Sequence, residues 1–296
     1  MAFGSFCHDK RDMPESLPGY GRCGTGAAEH TRLGWVAGPG GPACGRLGGS
    51  TGEEVTDVVA DRLTRAVREQ VALGRLLPLG GSSDGAWITE RAAQRVLRRA
   101  EAEAPRMRIT SLRIGPADPD TAARSAVPPP VSALPPGPLR IGADCVALVG
   151  RPLPEAAGRL RAALSRCAEE LLGLWVAAID LRITDLVEEL VPAPHDEADD
   201  SPREPEIPPA LAAVAAAAGA VPGVAGLAAA LGGSAQPVRY EDRTDAAGGP
   251  AGRHVELQLA VAADHRVLDV SRDVRTAVAR TVGAPVTVAV LVTDVR

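Results

Sequence analysis

Aromatic and lysine side chains are both scarce in this chain. Aromatic residues make up 2% of its 296 residues, and Lys10 is the only lysine among 32 basic residues. Both phenylalanines, Phe3 and Phe6, lie in the first six residues. Beyond the N-terminal stretch the remaining aromatics are Trp87, Trp175 and Tyr240. Proteins that read single-stranded nucleic acid on a sheet need exposed aromatics for stacking, so this shortage argues against that function.

Several other classes are excluded by what the sequence lacks. Five cysteines contain no C-x-x-C pair, which argues against a disulfide framework and against a structural zinc site. A net charge of −5 gives no overall electrostatic attraction to nucleic acid. The start of the chain lacks the long apolar core of a signal peptide, so we expect a cytoplasmic protein.

The segment 1–58 shows neither helical nor strand periodicity, and we predict that it is disordered. It contains a G-x-G-x-x-G pattern at Gly19, Gly21 and Gly24. That pattern predicts dinucleotide binding only between a strand and a helix, and here it has neither neighbour. Because its composition differs from the rest, we hypothesise a mis-set translation start, with the true start near Val55, Val58 or Val59.

Ordered structure is predicted from residue 59. Residues 59–73 form an amphipathic pattern with arginines on the polar face, which fits a helix packed on its own domain or one lying on a membrane. Residues 74–85, GRLLPLGGSSDG, contain many turn-forming residues and are predicted to form a connector.

An internal repeat is the strongest signal in the sequence. Residues 141–164 align without a gap on residues 255–278, with strand alternation followed by helical periodicity. Arg161 aligns with Arg275. Residues 176–186 then align with 285–295, and both segments end on Thr-Asp-apolar.

The repeat predicts a tandem α/β fold. Each copy reads helix, strand, strand, helix, strand, with Thr89 as the N-cap of the first helix. The final strand–helix–strand is a crossover, so its strands should be parallel, whereas the preceding strand pair should be antiparallel. A mixed sheet is expected in each copy. The copies could pack on each other through their sheets or through their helices.

We therefore predict a first unit over 59–190, with the leading amphipathic helix, and a second over 207–296. Residues 191–206 carry one basic and six acidic groups and several prolines, and are predicted to form a solvated linker. The stretch between Glu206 and Arg239 has no charge, which passes the length test for a membrane span. Its Ala and Gly content and the Pro222-Gly223 break favour a short helix, turn and strand instead.

No catalytic, cofactor-binding or metal-binding residue is predicted. Asp264 and His265 could form a general base with its orienting group, but adjacent residues in a loop are usually solvated. The first copy has Gly150-Arg151 at the matching place. Cys145 and Cys167 alternate with the apolar positions and are expected in the core.

The Pro-rich loop at 126–138 admits two interpretations. It could be a polyproline ligand for a partner, or a stiff loop that joins two strands. The second use is the more common.

Several patterns resemble the alkaline-shock-protein, or envelope stress response, family of Gram-positive bacteria. They are the Val221-Pro222-Gly223-Val224 turn after an opening helix, the helix beginning Leu153-Pro154-Glu155, and the final V-x-V-x-V-x-D-V type of strand. The bias for arginine over lysine is typical of a high-GC, actinobacterial-type genome. Residues 74–100 are similar to an actinobacterial subgroup sometimes labelled as a nucleopolyhedrovirus-type family. The duplication and the Pro-rich loop depart from the family pattern.

The resemblance implies a non-enzymatic scaffold or interaction protein without a cofactor. Its members associate with the membrane through a small membrane-anchored partner, so we expect a protein partner, self-association, or both. A nucleic-acid-associated or regulatory protein is the alternative, and an enzyme of unknown type is a weaker one.

Overall fold

A computed structural model describes residues 74–150, 152–190, 206–230, 236–244, 250–283 and 285–296. These residues belong to one compact unit. The predictions for segment 1–58, for the helix at 59–73 and for the linker up to residue 205 lie outside the described residues.

From residue 90 onward, the described part of the first unit has the predicted order of helices and strands. Its elements are α1 (Glu90–Leu97, extended by a 3-10 turn over Arg98–Glu103), β3 (Met107–Pro116), β4 (Leu139–Leu148), α2 (Leu153–Arg166, extended by a π-helical turn over Cys167–Leu172) and β5 (Val176–Val187). Strand β3 pairs antiparallel with β4, and β4 pairs parallel with β5. The three form one mixed sheet, which we call sheet B.

The second unit repeats this topology. Its elements are α3 (Ala212–Gly219), β6 (Val224–Leu227), β7 (Val238–Thr244), β8 (Pro250–Val261), α4 (Val267–Val282) and β9 (Val286–Val295). Strand β6 pairs antiparallel with β8, and β8 pairs parallel with β9. Strand β7, which the sequence did not predict, also pairs antiparallel with β8 and has no counterpart in the described part of the first unit. The tandem duplication is confirmed.

The Thr-Asp motif at the end of each unit forms the same β-bulge. The register shifts between Cys145 and Val146 on β4, and between the aligned residues of β8. Thr184 Oγ1 donates to the carbonyl of Cys145 at 3.2 Å, and Thr293 Oγ1 donates to the carbonyl of Leu259 at 3.4 Å. The Thr-Asp motif therefore marks a β-bulge. Its threonine is the extra residue that bends the strand, and the threonine hydroxyl donates to a carbonyl of the neighbouring strand.

The segment 74–85 is not a connector, and that prediction is wrong. It contains β1 (Leu76–Leu79), which forms an antiparallel hairpin with β2 (Ala86–Thr89). Strand β2 pairs in parallel with β9, so the hairpin extends the sheet of the second unit, sheet A, in the order β1-β2-β9-β8-β6. Turn residues and short strands alternate within a few positions here, and a hairpin of this kind is stable only when a third strand pairs with it.

Helix α1 lies between the two sheets. Thr89 caps the helix by accepting from the N–H of Ala92, as predicted, and its hydroxyl donates to the carbonyl of Thr293 in sheet A. On the other side, the Gln94 amide donates to the carbonyl of Leu112 in sheet B at 2.9 Å. Apolar residues of both units form one continuous core. The two units thus share a core through helices and do not pack sheet against sheet.

The outer face of sheet A carries a smaller apolar cluster. Trp87, Leu291 and Leu76 are buried there beneath Val127 of the Pro-rich loop. The loop also follows the edge of β1, since Leu134 N–H donates to the carbonyl of Leu76 at 2.8 Å. These contacts favour the joining role for the loop and add a covering role that the sequence did not predict.

The long uncharged run of the second unit forms the eight-residue α3, the Pro222-Gly223 turn and β6. Among the described residues, the helices are all too short or too polar to cross a bilayer.

Candidate interaction site

The outer edge of β5 is the most distinctive surface of the first unit. In the described part of the chain, β5 has a neighbouring strand only on the β4 side. It is twelve residues long, and its inward-facing Ile179, Leu181 and Ile183 are only half-buried. Long edge strands with apolar side chains are templates for pairing with another chain.

The corresponding strand of the second unit, β9, is covered. Its inward-facing Val288, Val290 and Val292, which align with the three residues above, are at most 3% exposed. The N–H of Val290 donates to the carbonyl of Gly85 at 3.0 Å, and Val290 lies opposite Ala86 of β2. The hairpin therefore pairs with an edge that, among the described residues, has no partner strand in the first unit.

The hairpin turn is held against α4 by arginines. Arg272 Nε donates to Asp84 Oδ1 at 2.8 Å, and its Nη2 donates to the second carboxylate oxygen at 3.1 Å. Burial raises the pKa of Asp84, but the hydrogen bonds from Arg272 and from Gly81 N–H outweigh it and lower the pKa overall. A charged Asp84 thus belongs to the folded hairpin.

Gly85 is required at the end of this turn. Its φ of +54° is in the left-handed region, and a Cβ there would lie 2.6 Å from Val127 and 3.1 Å from the carbonyl oxygen of Val288. The close approach lets β2 reach β9 beneath the Pro-rich loop.

A groove between α2 and β5 occupies the place that the hairpin turn takes in the second unit. It has a volume of about 390 Å³ and is lined by small residues of the helix, such as Gly158 and Ala162, and by residues 176–179 of the strand. Gly158 aligns with Arg272, so the first unit lacks the arginine that binds the hairpin. A Cβ at Gly158 would meet no atom within 4 Å, so this side of the groove is open.

An arginine occupies the same aligned position on the helix of each unit. Arg161 Nε donates to the carbonyl of Ile179 at 3.1 Å, and Arg275 Nε donates to the carbonyl of Val288 at 3.0 Å. Arg275 also donates through Nη1 to the carbonyl of Ser83 in the hairpin turn. In the first unit, the aligned Arg161 is exposed at the outer edge of the strand.

The outward face of β5 carries alternating charges. Asp180 accepts from Arg140 at 3.0 Å, and Arg182 lies 3.3 Å from Asp144. Asp144, Asp180 and Arg182 border a shallow depression of about 130 Å³ over Gly142. Asp180 and Arg182 are 61% and 78% exposed, respectively, so both are accessible to a partner.

The four residues considered as catalytic or nucleophilic candidates do not lie together in one site. They are Asp264, His265, Cys145 and Cys167. The Asp264 carboxylate and His265 Nδ1 are 2.8 Å apart on an exposed turn, where the hydrogen bond to His265 lowers the pKa of Asp264. The two cysteines are buried in the core, as predicted. Burial, together with the charges of Glu101 and Asp144, raises the pKa of Cys145 to about 11, which keeps its thiol protonated and unreactive.

Three polar residues, His254, Glu256 and Gln258, alternate along β8 and form a row that the sequence did not predict. His254 is buried and its Nδ1 lies 2.8 Å from Thr287 Oγ1, and the Gln258 side-chain oxygen accepts from Ala230 N–H at 3.1 Å. Burial raises the pKa of Glu256 between them. Across the described ranges, no group of three or more His, Cys, Asp or Glu residues could hold a metal ion. These hydrogen bonds join β8 to β9 through His254 and to the segment at Ala230 through Gln258.

The fold defines a class of protein: a tandem α/β protein whose last strand is covered by a hairpin in one unit and, among the described residues, is an edge strand in the other. None of the known family models matches the chain, and neither the curated proteins nor the solved structures provided a match. The resemblance to envelope stress response proteins therefore stays a prediction.

Proposed function

We propose that this chain is a non-enzymatic scaffold or interaction protein, similar to envelope stress response proteins, and that the edge of β5 is its main partner-binding surface. The observation that carries the proposal is the contrast between β9, which is covered by the hairpin, and β5, which has no such cover among the described residues. Partner binding by addition of a strand uses backbone hydrogen bonds for affinity and neighbouring pockets for specificity.

The groove beside β5 supports the same proposal. Small side chains on α2 leave room for the side chains of an added strand, and Arg161 lies at the edge with its guanidinium exposed. Arg275 uses the matching position to bind a main-chain carbonyl. An extended protein segment is thus the ligand class that the second unit already binds within the chain.

Charge balance argues against the nucleic-acid alternative. On the open face of sheet B, two arginines are paired with carboxylates, Arg140 with Asp180 and Arg182 with Asp144. Phosphate binding needs an excess of basic groups to release counterions.

The test is recovery of partners from native membrane and cytoplasmic fractions on the immobilised full-length chain. We expect salt-resistant recovery of a protein partner in the membrane fraction, and its loss with Leu181→Pro, which blocks the edge of β5. Val131→Ala, at an exposed loop position, is the matched control and should retain the partner. Salt-sensitive recovery of RNA or DNA without a protein partner would contradict the proposal.

A further inference from the structure

We infer that β5 pairs antiparallel with β5 of a second copy of this chain, about a two-fold axis at Leu181, so that the two copies of sheet B become one continuous sheet. The inference rests on the proposed function, since it names a partner for the same edge. Three observations carry it: the direction of the free backbone groups, the order of charges and the position of exposed apolar residues.

The backbone groups that point to the open edge belong to alternate residues of β5. In the second unit, the N–H of Val290 and the carbonyl of Val288 face outward, where they meet Gly85 and Arg275. The aligned residues in β5 are Leu181 and Ile179, and Arg161 does contact the carbonyl of Ile179. Because strand residues alternate in direction, Ile179, Leu181 and Ile183 present their N–H and C=O groups to the open edge.

A two-fold axis at Leu181 matches these groups. Antiparallel pairing about this residue places Leu181 opposite Leu181 of the second copy, and Ile179 opposite Ile183. The backbone groups of all three residues point to the open edge, so each pair can exchange both hydrogen bonds, as alternate pairs of an antiparallel ladder require. The carbonyl of Ile179, which accepts from Arg161, has a second lone pair for this bond. The half-buried apolar side chains then meet on the core face of the joined sheet.

The same register is complementary in charge. Asp180 comes to lie opposite Arg182 of the second copy, and the pair occurs twice because of the two-fold axis. Opposite charges in directly facing positions stabilise an antiparallel pair, and like charges destabilise it. A shift of the register by two residues would place Asp180 opposite Asp180 or Arg182 opposite Arg182, so the charges select this register.

Exposed apolar residues lie near the two ends of β5. Trp175 is 59% exposed and Leu186 is 49% exposed, and both belong to the small group of large hydrophobic residues that are exposed in the described ranges. Antiparallel pairing about Leu181 brings Trp175 of one copy near Leu186 of the other, at each end. The pairing therefore removes from water two of the most exposed apolar side chains of the first unit.

Charge reversal tests the register directly. Asp180→Arg gives each copy arginine at both 180 and 182, so two arginines face each other in every pair. Arg182→Asp gives each copy aspartate at both positions, so two aspartates face each other. We expect each variant alone to dimerise about tenfold more weakly than the unchanged chain in sedimentation velocity of the full-length protein. An equimolar mixture of the two should restore dimerisation to the unchanged level, because every facing pair in the mixed dimer is again of opposite charge.

The outcome of this experiment is decisive either way. An unchanged chain that stays monomeric at tens of micromolar, or a mixture that associates no better than the single variants, would overturn the inference. Far-ultraviolet circular dichroism of each variant shows whether the fold is retained, and Leu181→Pro provides a second block of the edge without a charge change. If self-association is absent while partner recovery still depends on Leu181, the inference fails and the proposed function stands.

Discussion

Strands β5 and β9 end the two repeat units with the same bulge, the same crossover and the same arginine on the preceding helix, yet their surroundings differ. Strand β9 lies in the interior of sheet A because β2 pairs with it, and its residues Val288–Thr293 are all buried. In the described chain β5 is an edge, and its apolar residues are half-buried. The duplicated sequence thus specifies the unit, and one hairpin decides which copy is closed.

The difference also shows how a duplicated unit can divide its tasks. The hairpin precedes α1 of the first unit but joins the sheet of the second, so it ties the two units together across the whole described chain. Only one hairpin of this kind is described, whereas there are two grooves. The groove beside β5 is therefore the one that no described hairpin fills.

The largest difference in stability is expected between variants of two tryptophans, Trp87 beside β9 and Trp175 beside β5. Trp87 in β2 is 1% exposed against β9, so Trp87→Ala should lower the free energy of unfolding by about 3–5 kcal/mol. At concentrations where the chain is monomeric, Trp175→Ala beside β5 should change it by about 0.5 kcal/mol or less, because an exposed side chain loses little contact. Urea denaturation followed by circular dichroism measures both, and equal losses would contradict the open edge.

Proline at aligned positions gives the next largest difference. Val290→Pro removes the donor to the buried carbonyl of Gly85 and should cost about 2–3 kcal/mol. Leu181→Pro removes an N–H that faces the open edge, where proline is tolerated in strands. Under conditions where the chain is monomeric, we expect a clearly smaller loss for Leu181→Pro. Matching losses in chemical denaturation would mean that the edge of β5 is paired within the chain.

The shared arginine allows a third comparison. Arg275→Ala loses hydrogen bonds to Val288 and Ser83 and should destabilise the chain by about 1.5–3 kcal/mol. Arg161→Ala loses the bond to Ile179 at an exposed position and should cost about 1 kcal/mol or less. Thermal unfolding at neutral pH should order the two midpoints accordingly, with the Arg275 variant lower.

The smallest effect is expected from pH. The pKa of Asp84 is lower in the folded chain than in the unfolded one, so Asp84 contributes stability above its unfolded pKa of about 3.9. That contribution is lost as pH falls through the folded pKa, when the carboxylate loses its charge and its bond with Arg272. Asp84→Asn should therefore flatten the fall in stability below about pH 4. Denaturation midpoints at pH 3–6 measure this, and an acid dependence identical to that of the unchanged chain would refute it.

Much of each unit could be predicted from local patterns. The inward-facing residues of β4 and β8 were identified by alternating apolar positions, and those of α2 and α4 by apolar positions at helical spacing. They include Cys145 and Val274, which are fully buried. Thr89 was recognisable as an N-cap because capping depends on adjacent residues. Parallel pairing followed from the handed crossover, which depends only on element order.

The candidate site could not be predicted in the same way. The hairpin residues 76–89 are few and are interrupted by Gly80 and Gly85, so they carry no reliable period, and their partner β9 lies about two hundred residues further along the chain. Strand β7 was missed for the same reason, since its charged sequence has no apolar alternation and only β8 fixes it as a strand.

The sequence by itself therefore determined the duplicated unit, the direction of its strands and the residues that face its core, because those depend on spacing and order along a short stretch. Only the tertiary structure decided that the β1–β2 hairpin covers β9, while β5 is an edge strand in the described part of the chain. A third strand is what stabilises a short hairpin, and the choice between two nearly equivalent edges depends on side chains far apart in sequence. Arg272 on α4 contacts Asp84 in the hairpin turn, whereas Gly158 stands at the matching place on α2.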